Sequence, residues 1–68
     1  MNTEELTRSV TKALVQDERT KEAAIEVINQ NGILTLKGHV KNDKIRKAAE
    51  NIAMQQPGVV SVINELRI

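Results

Sequence analysis

The sequence contains no cysteine, phenylalanine, tyrosine or tryptophan, and among its 68 residues there are only three glycines and one proline. Without cysteine the chain can form neither a disulfide nor a thiolate metal site. Without phenylalanine, tyrosine or tryptophan it lacks the usual platforms for stacking on the bases of single-stranded nucleic acid and the aromatic belt that anchors proteins in a membrane interface. A net charge of +1 is too small by itself to predict a polyanionic partner.

Motifs for catalysis and for membrane insertion are also missing. The single histidine, His39, has no cysteine or second histidine to complete a transition-metal site. The sequence has no Gly-x-Ser-x-Gly, no P-loop and no dinucleotide fingerprint, and no EF-hand spacing. We therefore expect no enzyme activity, no metal and no cofactor. No apolar run is long enough to span a membrane.

The first residues, Met-Asn-Thr-Glu-Glu, show neither the basic region nor the apolar run of a signal peptide. If the chain is complete, this predicts a cytoplasmic protein.

Two segments have the apolar spacing of amphipathic helices. In residues 2–15, Leu6, Val10 and Leu14 recur every four residues, and Asn2 is a suitable N-cap. In residues 43–56, capped by Asn42 or Asp43, the predicted stripe is narrow and rich in alanine: Ile45, Ala48, Ala49, Ile52 and Ala53. Pro57-Gly58 is expected to end this second helix.

The segment between the helices carries the strongest local signal. Asn31-Gly32 separates two β-rich runs, and both residue types tolerate the positive φ of a type I′ hairpin turn. A two-residue turn fixes the register of residues 24–40, so that Val27 faces Leu36. It also places Glu26 opposite Lys37. This attractive charge pair supports the register independently, because it was not used to identify the turn.

Residues 59–68 have the alternation of a third strand, in which Val60, Val62, Leu66 and Ile68 share one face. Asn64 interrupts this inward row and needs a hydrogen-bond partner if it is buried. The predicted order is therefore helix–strand–strand–helix–strand in one domain, residues 1–68. This order predicts an α+β two-layer sandwich with a three-stranded mixed sheet and two helices on one face.

The chain resembles the BON domain family, named for bacterial osmotic-shock and nodulation-related proteins. The resemblance covers nearly the whole chain and is carried by Ile25-x-Val27, by Asn31-Gly32-Ile33-Leu34-Thr35-Leu36-Lys37-Gly38-His39-Val40, by Ala49-x-x-Ile52-Ala53, and by Pro57-Gly58-Val59-Val60-Ser61-Val62-Ile63-Asn64-x-Leu66-x-Ile68. It implies a non-enzymatic binding module of the bacterial cell envelope or stress response, and thus a periplasmic or envelope location. Such domains attach to phospholipid surfaces or to partner proteins.

The first candidate site is a basic cluster, Lys41, Lys44, Arg46 and Lys47, opposed only by Asp43. It spans the predicted start of the second helix, where free backbone N–H groups also favour anions. Several such cations give weak, salt-sensitive docking on an anionic phospholipid surface. The alternative is that these residues only keep the helix solvated.

The second candidate is the outer face of the sheet, where the hairpin register places Ile28 and Ile33, and parity places Ile63. These isoleucines predict a protein-interaction or weak self-association surface, although scattered surface aliphatic residues are common. A KH-type nucleic-acid module is disfavoured because its Gly-x-x-Gly loop is absent. A small ligand or ion held in a loop stays open as an alternative, although no cluster of residues nominates one.

The glycines and proline of the family motif are expected to act through backbone geometry. Asn31 and Gly32 supply the turn, Gly38 allows a close backbone approach or a bulge, and Pro57 and Gly58 stop the second helix.

Overall fold

The computed structural model describes residues 3–68. The elements, in chain order, are α1 (Thr3–Gln16), β1 (Ala24–Gln30), β2 (Ile33–His39), α2 (Asp43–Met54) and β3 (Ser61–Arg67). The predicted order of helices and strands is confirmed. Asn2, the expected cap of α1, lies outside the described residues. Asn42 caps α2 by accepting a hydrogen bond from the Ile45 N–H at 2.9 Å.

The three strands form one mixed sheet in the order β1-β2-β3. β1 and β2 are antiparallel in the predicted register, with Val27 opposite Leu36 and Glu26 opposite Lys37. β3 returns parallel to β2, which makes β2 the central strand. Within residues 3–68, Lys37 forms its ion pair with Glu65 of β3, at 3.9 Å. Lys37 is thus paired with a carboxylate of β3 rather than with Glu26, which lies opposite it in the hairpin.

The core lies between the sheet and the helices, which cover one face. Leu34 and Leu36 of the central strand are fully buried. The helices cover them with the predicted stripes, Leu6, Val10 and Leu14 from α1 and Ala49, Ile52 and Ala53 from α2. Because the α2 stripe is largely alanine, little side-chain volume separates the α2 backbone from the sheet. These contacts confirm the two-layer α+β architecture.

The third strand is shorter than predicted, and two residues expected on its inward face are exposed. Val60 and Ile68 are 69% and 68% exposed. Pairing with β2 begins only at Ser61, because the Val60 N–H donates to the Gly32 carbonyl oxygen at 2.8 Å in the preceding turn. Ile68 lies beyond the last residue paired with β2, so neither side chain is covered by the helical layer.

The end of α1 is closed by the loop that follows it. Thr20 is buried, and its Oγ1 donates a hydrogen bond to the Leu14 carbonyl oxygen at 2.5 Å. That carbonyl belongs to the last turn of α1, where the helix supplies no amide to bond it. The loop is thereby fixed against α1 and presents its charged residues at one end of the sheet.

Candidate functional site

The basic cluster lies where β2 ends and α2 begins. Lys41 is in the connecting segment, and Lys44, Arg46 and Lys47 lie in the first turns of α2. Asp43 binds two of the four cations: Arg46 Nη2 lies 2.6 Å from its Oδ1, and Lys47 Nζ lies 3.2 Å from its Oδ2. The cluster is therefore partly neutralised from within.

Hydrogen bonds from Arg46 and then Lys47 lower the pKa of the Asp43 carboxyl, so this carboxylate stays ionised. Lys41 and Lys44 are exposed, and within residues 3–68 neither forms an ion pair. Their charges are consequently directed to solvent. Within residues 41–47 the balance is four cations against one carboxylate.

The amides at the start of α2 are less available than the sequence suggested. The Ile45 N–H is taken by the Asn42 side chain, and the Arg46 N–H bonds to the Asn42 carbonyl oxygen at 3.2 Å. The lysine side chains, rather than the helix amides, are therefore the main anion-attracting groups of this cluster.

Folding places the loop after α1 beside the basic cluster, which the sequence did not indicate. A cleft of about 570 Å³ lies between residues 18–24 and residues 39–41. Ala23, Val40 and Ile45 contribute apolar surface to it, and Lys41 also lines it. The contact is between segments far apart in the chain, so helix and strand periodicity carried no signal for it.

The loop charges at this cleft are mostly paired with one another. Arg19 Nε and Nη2 each donate to Asp17 at 3.0 Å, and Lys21 Nζ lies 3.0 Å from Glu18. Hydrogen bonds from the Arg19 side chain, then from its backbone N–H, lower the pKa of Asp17 to about 2. The same pair raises the pKa of Arg19. The loop therefore adds two ion pairs and, at Glu22, one carboxylate that has no ion pair within residues 3–68.

No helix of the described chain covers the outer face of the sheet. Ile28, Thr35 and Ile63 lie side by side on the three strands, and Ile33 follows on the next row. Ile28 is 37% exposed, Ile33 is 42% exposed and Ile63 is 46% exposed. The tertiary structure therefore brings all three members of the sequence-derived patch together around one threonine.

The glycine and proline positions of the sequence lie at bends and close approaches of the backbone. Asn31 and Gly32 have φ angles of 54° and 88°, and the Gly32 N–H donates to Asn29 Oδ1 at 2.9 Å. At Gly38 a Cβ would overlap the carbonyl oxygen of Ala24 on the neighbouring strand. Pairing runs without a bulge through this position.

Pro57 and Gly58 lie in the turn after α2, which ends three residues before the proline. Gly58 has a φ of 94°.

Within residues 3–68, no group of three or more histidine, cysteine or acidic residues is arranged to hold a metal ion. None of the described helices is long and apolar enough to cross a membrane.

The structure thus presents two surfaces suited to binding. One is the basic cluster at the start of α2, and the other is the outer face of the sheet with its exposed isoleucines. The BON domain family model matches residues 2–68, essentially the entire sequence. The chain therefore belongs to the BON domain family, whose members are non-catalytic binding domains. The comparison with curated proteins finds no match.

Proposed function

We propose that residues 1–68 act as a single BON domain that docks weakly on anionic phospholipid surfaces of the bacterial cell envelope. The binding groups are Lys41, Lys44, Arg46 and Lys47. The observation that carries this proposal is the exposure of Lys41 and Lys44 without a carboxylate partner in the described part of the chain. Their charge is free to act on an external anion.

The expected strength follows from the local charge. Four cations and one carboxylate leave a surplus of three positive charges, and each cation near an anionic membrane surface contributes about 1 kcal/mol. A total of about 3 kcal/mol corresponds to roughly a hundredfold preference for an anionic surface. Because the charges are exposed, salt weakens the interaction once the Debye length falls to about 10 Å, near 0.1 M ionic strength.

The test is sedimentation of the protein with phosphatidylglycerol vesicles and with phosphatidylcholine vesicles at low and moderate salt. Lys41→Glu with Lys44→Glu removes two cations that form no ion pair within residues 3–68, so the fold is expected to persist. Loss of these two charges alone weakens binding by about 2 kcal/mol, or roughly thirtyfold. The matched control is Arg8→Glu with Lys12→Glu, which makes the same charge change on exposed positions of α1.

Three results together support the proposal. Binding requires the anionic lipid, it falls as salt is added, and it is lost in Lys41→Glu/Lys44→Glu but not in Arg8→Glu/Lys12→Glu. Unchanged binding of Lys41→Glu/Lys44→Glu would refute the site. An equal loss in the α1 control would show that net charge, rather than this cluster, governs the interaction.

A second candidate function is protein interaction or self-assembly through the outer sheet face. It is favoured by the contiguous exposure of Ile28, Ile33 and Ile63 around Thr35. If this face mediates self-association, light scattering at high protein concentration detects a dimer, and Ile33→Lys with Ile63→Lys abolishes it. Val15→Lys, at an exposed apolar position of α1, serves as the control. A strictly monomeric wild-type protein would exclude self-association.

A further inference from the structure

β3 forms an edge of the sheet, and part of that edge lacks a neighbouring strand. β2 lies on one side of β3, and no strand of the described chain lies on the other. Backbone groups of successive residues in a strand point to opposite sides. The Arg67 carbonyl oxygen faces the β2 side, where it accepts from the Val40 N–H at 2.8 Å. By alternation, the N–H and C=O groups of Val62, Asn64 and Leu66 point to the open edge.

Asn64 closes one half of this edge. Its Oδ1 accepts from the Leu66 N–H at 3.1 Å, and its Nδ2 donates to the Arg46 carbonyl oxygen at 2.9 Å and to Glu50 Oε1 at 3.2 Å. The half-buried asparagine thereby has its partners, as the sequence required. Its side chain blocks strand pairing at Leu66 and leaves the preceding half of the edge open at Val62.

The open half has an apolar environment. Because Glu50 lies over Asn64, Met54 lies one helical turn farther along α2, and Val62 lies two residues back along β3 on the same face. These spacings place Met54 near Val62 on the α2 side of the open edge. Met54 and Ile63 are each 46% exposed, and Val60 is 69% exposed. Apolar surface is exposed where the backbone is open, and polar side chains lie where it is closed.

α1 packs over β1 and α2 packs over β3. A helix is about 10 Å across and neighbouring strands are about 4.8 Å apart, so a helix centred over an edge strand extends past it by about 5 Å, the width of one strand. A second copy paired in the sheet plane would bring the two α2 axes to roughly 5 Å, closer than the 8–10 Å at which helices pack. An added strand without a covering helix has no such conflict.

We propose that the open half of the β3 edge, at Val62 and Asn64, binds an extended segment of a partner protein as a fourth strand of the sheet. Backbone hydrogen bonds to these two residues supply the register. An aliphatic side chain of the segment packs beside Ile63 on the outer face, and its neighbour in sequence packs under Met54. This site is distinct from the lipid-binding cluster and does not depend on it.

The test uses the isotope-labelled protein and a blocked heptapeptide of alternating valine and threonine with a lysine at each end. Added to roughly 1 mM, the peptide is expected to shift the amide resonances of Val62, Ile63, Asn64 and Met54. It should also slow hydrogen exchange of the Val62 amide by about tenfold or more. The same peptide with proline at its centre is expected to produce neither effect, because proline removes a pairing N–H.

Two variants of the protein complete the test. Val62→Pro removes the N–H that points to the open edge and leaves the N–H groups that bond to β2, so peptide affinity falls by at least about tenfold. Val62→Thr keeps the N–H and the branched shape and binds as the wild type does. Lys41→Glu with Lys44→Glu also leaves peptide binding unchanged, which separates this edge from the lipid site.

Several results would overturn the proposal: no shift with the alternating peptide, shifts confined to β1, or equal binding of the proline-containing peptide. The peptide comparison decides the matter even if Val62→Pro fails to fold. A dimer that pairs through β3, detected by light scattering and dissociated by the peptide, would show that a second copy is the occupant instead.

Discussion

Replacing Gly38 with alanine tests how closely β1 and β2 approach at the end of the hairpin. Gly38 has a φ of 136°, a conformation that side chains with a Cβ rarely adopt. A Cβ built there overlaps the Ala24 carbonyl oxygen, which belongs to the backbone of the paired strand and cannot rotate away. Relief of the overlap requires the two strands to separate.

The two contributions give the size of the effect. A residue held in a backbone region reserved for glycine costs about 1–3 kcal/mol. Forcing an extra carbon into a filled space costs about 1–3 kcal/mol more. The total, about 4 kcal/mol, compares with a stability of roughly 3–10 kcal/mol for a chain of this length. Gly38→Ala is therefore expected to be close to the limit of folding.

Gly32 provides the matched control. Its φ is 88°, and an added Cβ would lie 2.8 Å from Val60 Cγ2 and 3.0 Å from the Gly58 carbonyl oxygen. Because Val60 is largely exposed, its side chain can turn away from the added Cβ. We therefore expect Gly32→Ala to lower the free energy of unfolding by about 2 kcal/mol, chiefly because alanine is strained at this positive φ.

Urea unfolding followed by far-ultraviolet circular dichroism suits a chain without aromatic residues. With a slope of about 1 kcal/mol per molar urea, the midpoint falls by about 4 M for Gly38→Ala and about 2 M for Gly32→Ala. A Gly38→Ala protein as stable as the wild type, or a reversed order of the two variants, would refute this reasoning.

Two further predictions concern the loop after α1. Thr20→Val leaves the Leu14 carbonyl oxygen buried without its donor, so unfolding free energy in urea falls by about 1–3 kcal/mol; an unchanged midpoint would contradict this. The low pKa of Asp17, about 2 instead of 3.8, means that its ion pair stabilises the fold fully above about pH 4 and that this contribution is lost as pH falls toward 2. Carboxyl NMR titration should show this midpoint and a higher one in Arg19→Gln, whereas an unchanged midpoint in that variant would exclude the Arg19 side chain as the cause.

The hairpin shows what local sequence can determine. Two residues that accept positive φ, Asn31 and Gly32, set a two-residue turn, and a two-residue turn leaves only one register. The spacing of apolar residues likewise determined which side of each helix is buried, because a helix with one apolar stripe has only one way to cover it. Neither conclusion depends on contacts distant in the chain.

The candidate sites were predictable only as groups of residues. Lys41, Lys44, Arg46 and Lys47 are near one another in sequence, so their proximity was evident beforehand, but the sharing of Asp43 by Arg46 and Lys47 depends on helix geometry. The isoleucine patch needed Ile63 to arrive beside Thr35, which parity alone could not establish.

By itself, the sequence determined the hairpin, the buried helix faces and the order of elements, since each follows from interactions among neighbouring residues. Only the tertiary structure decided that the strand beside β3 is β2 rather than β1, that Val60 and Ile68 lie outside the paired strand, and that Asn64 bonds to α2. It also decided that α2 packs over the edge strand β3 and that a cleft forms beside Lys41. These features depend on how two layers fit together, and that fit is fixed by the packing of side chains that are far apart in the chain.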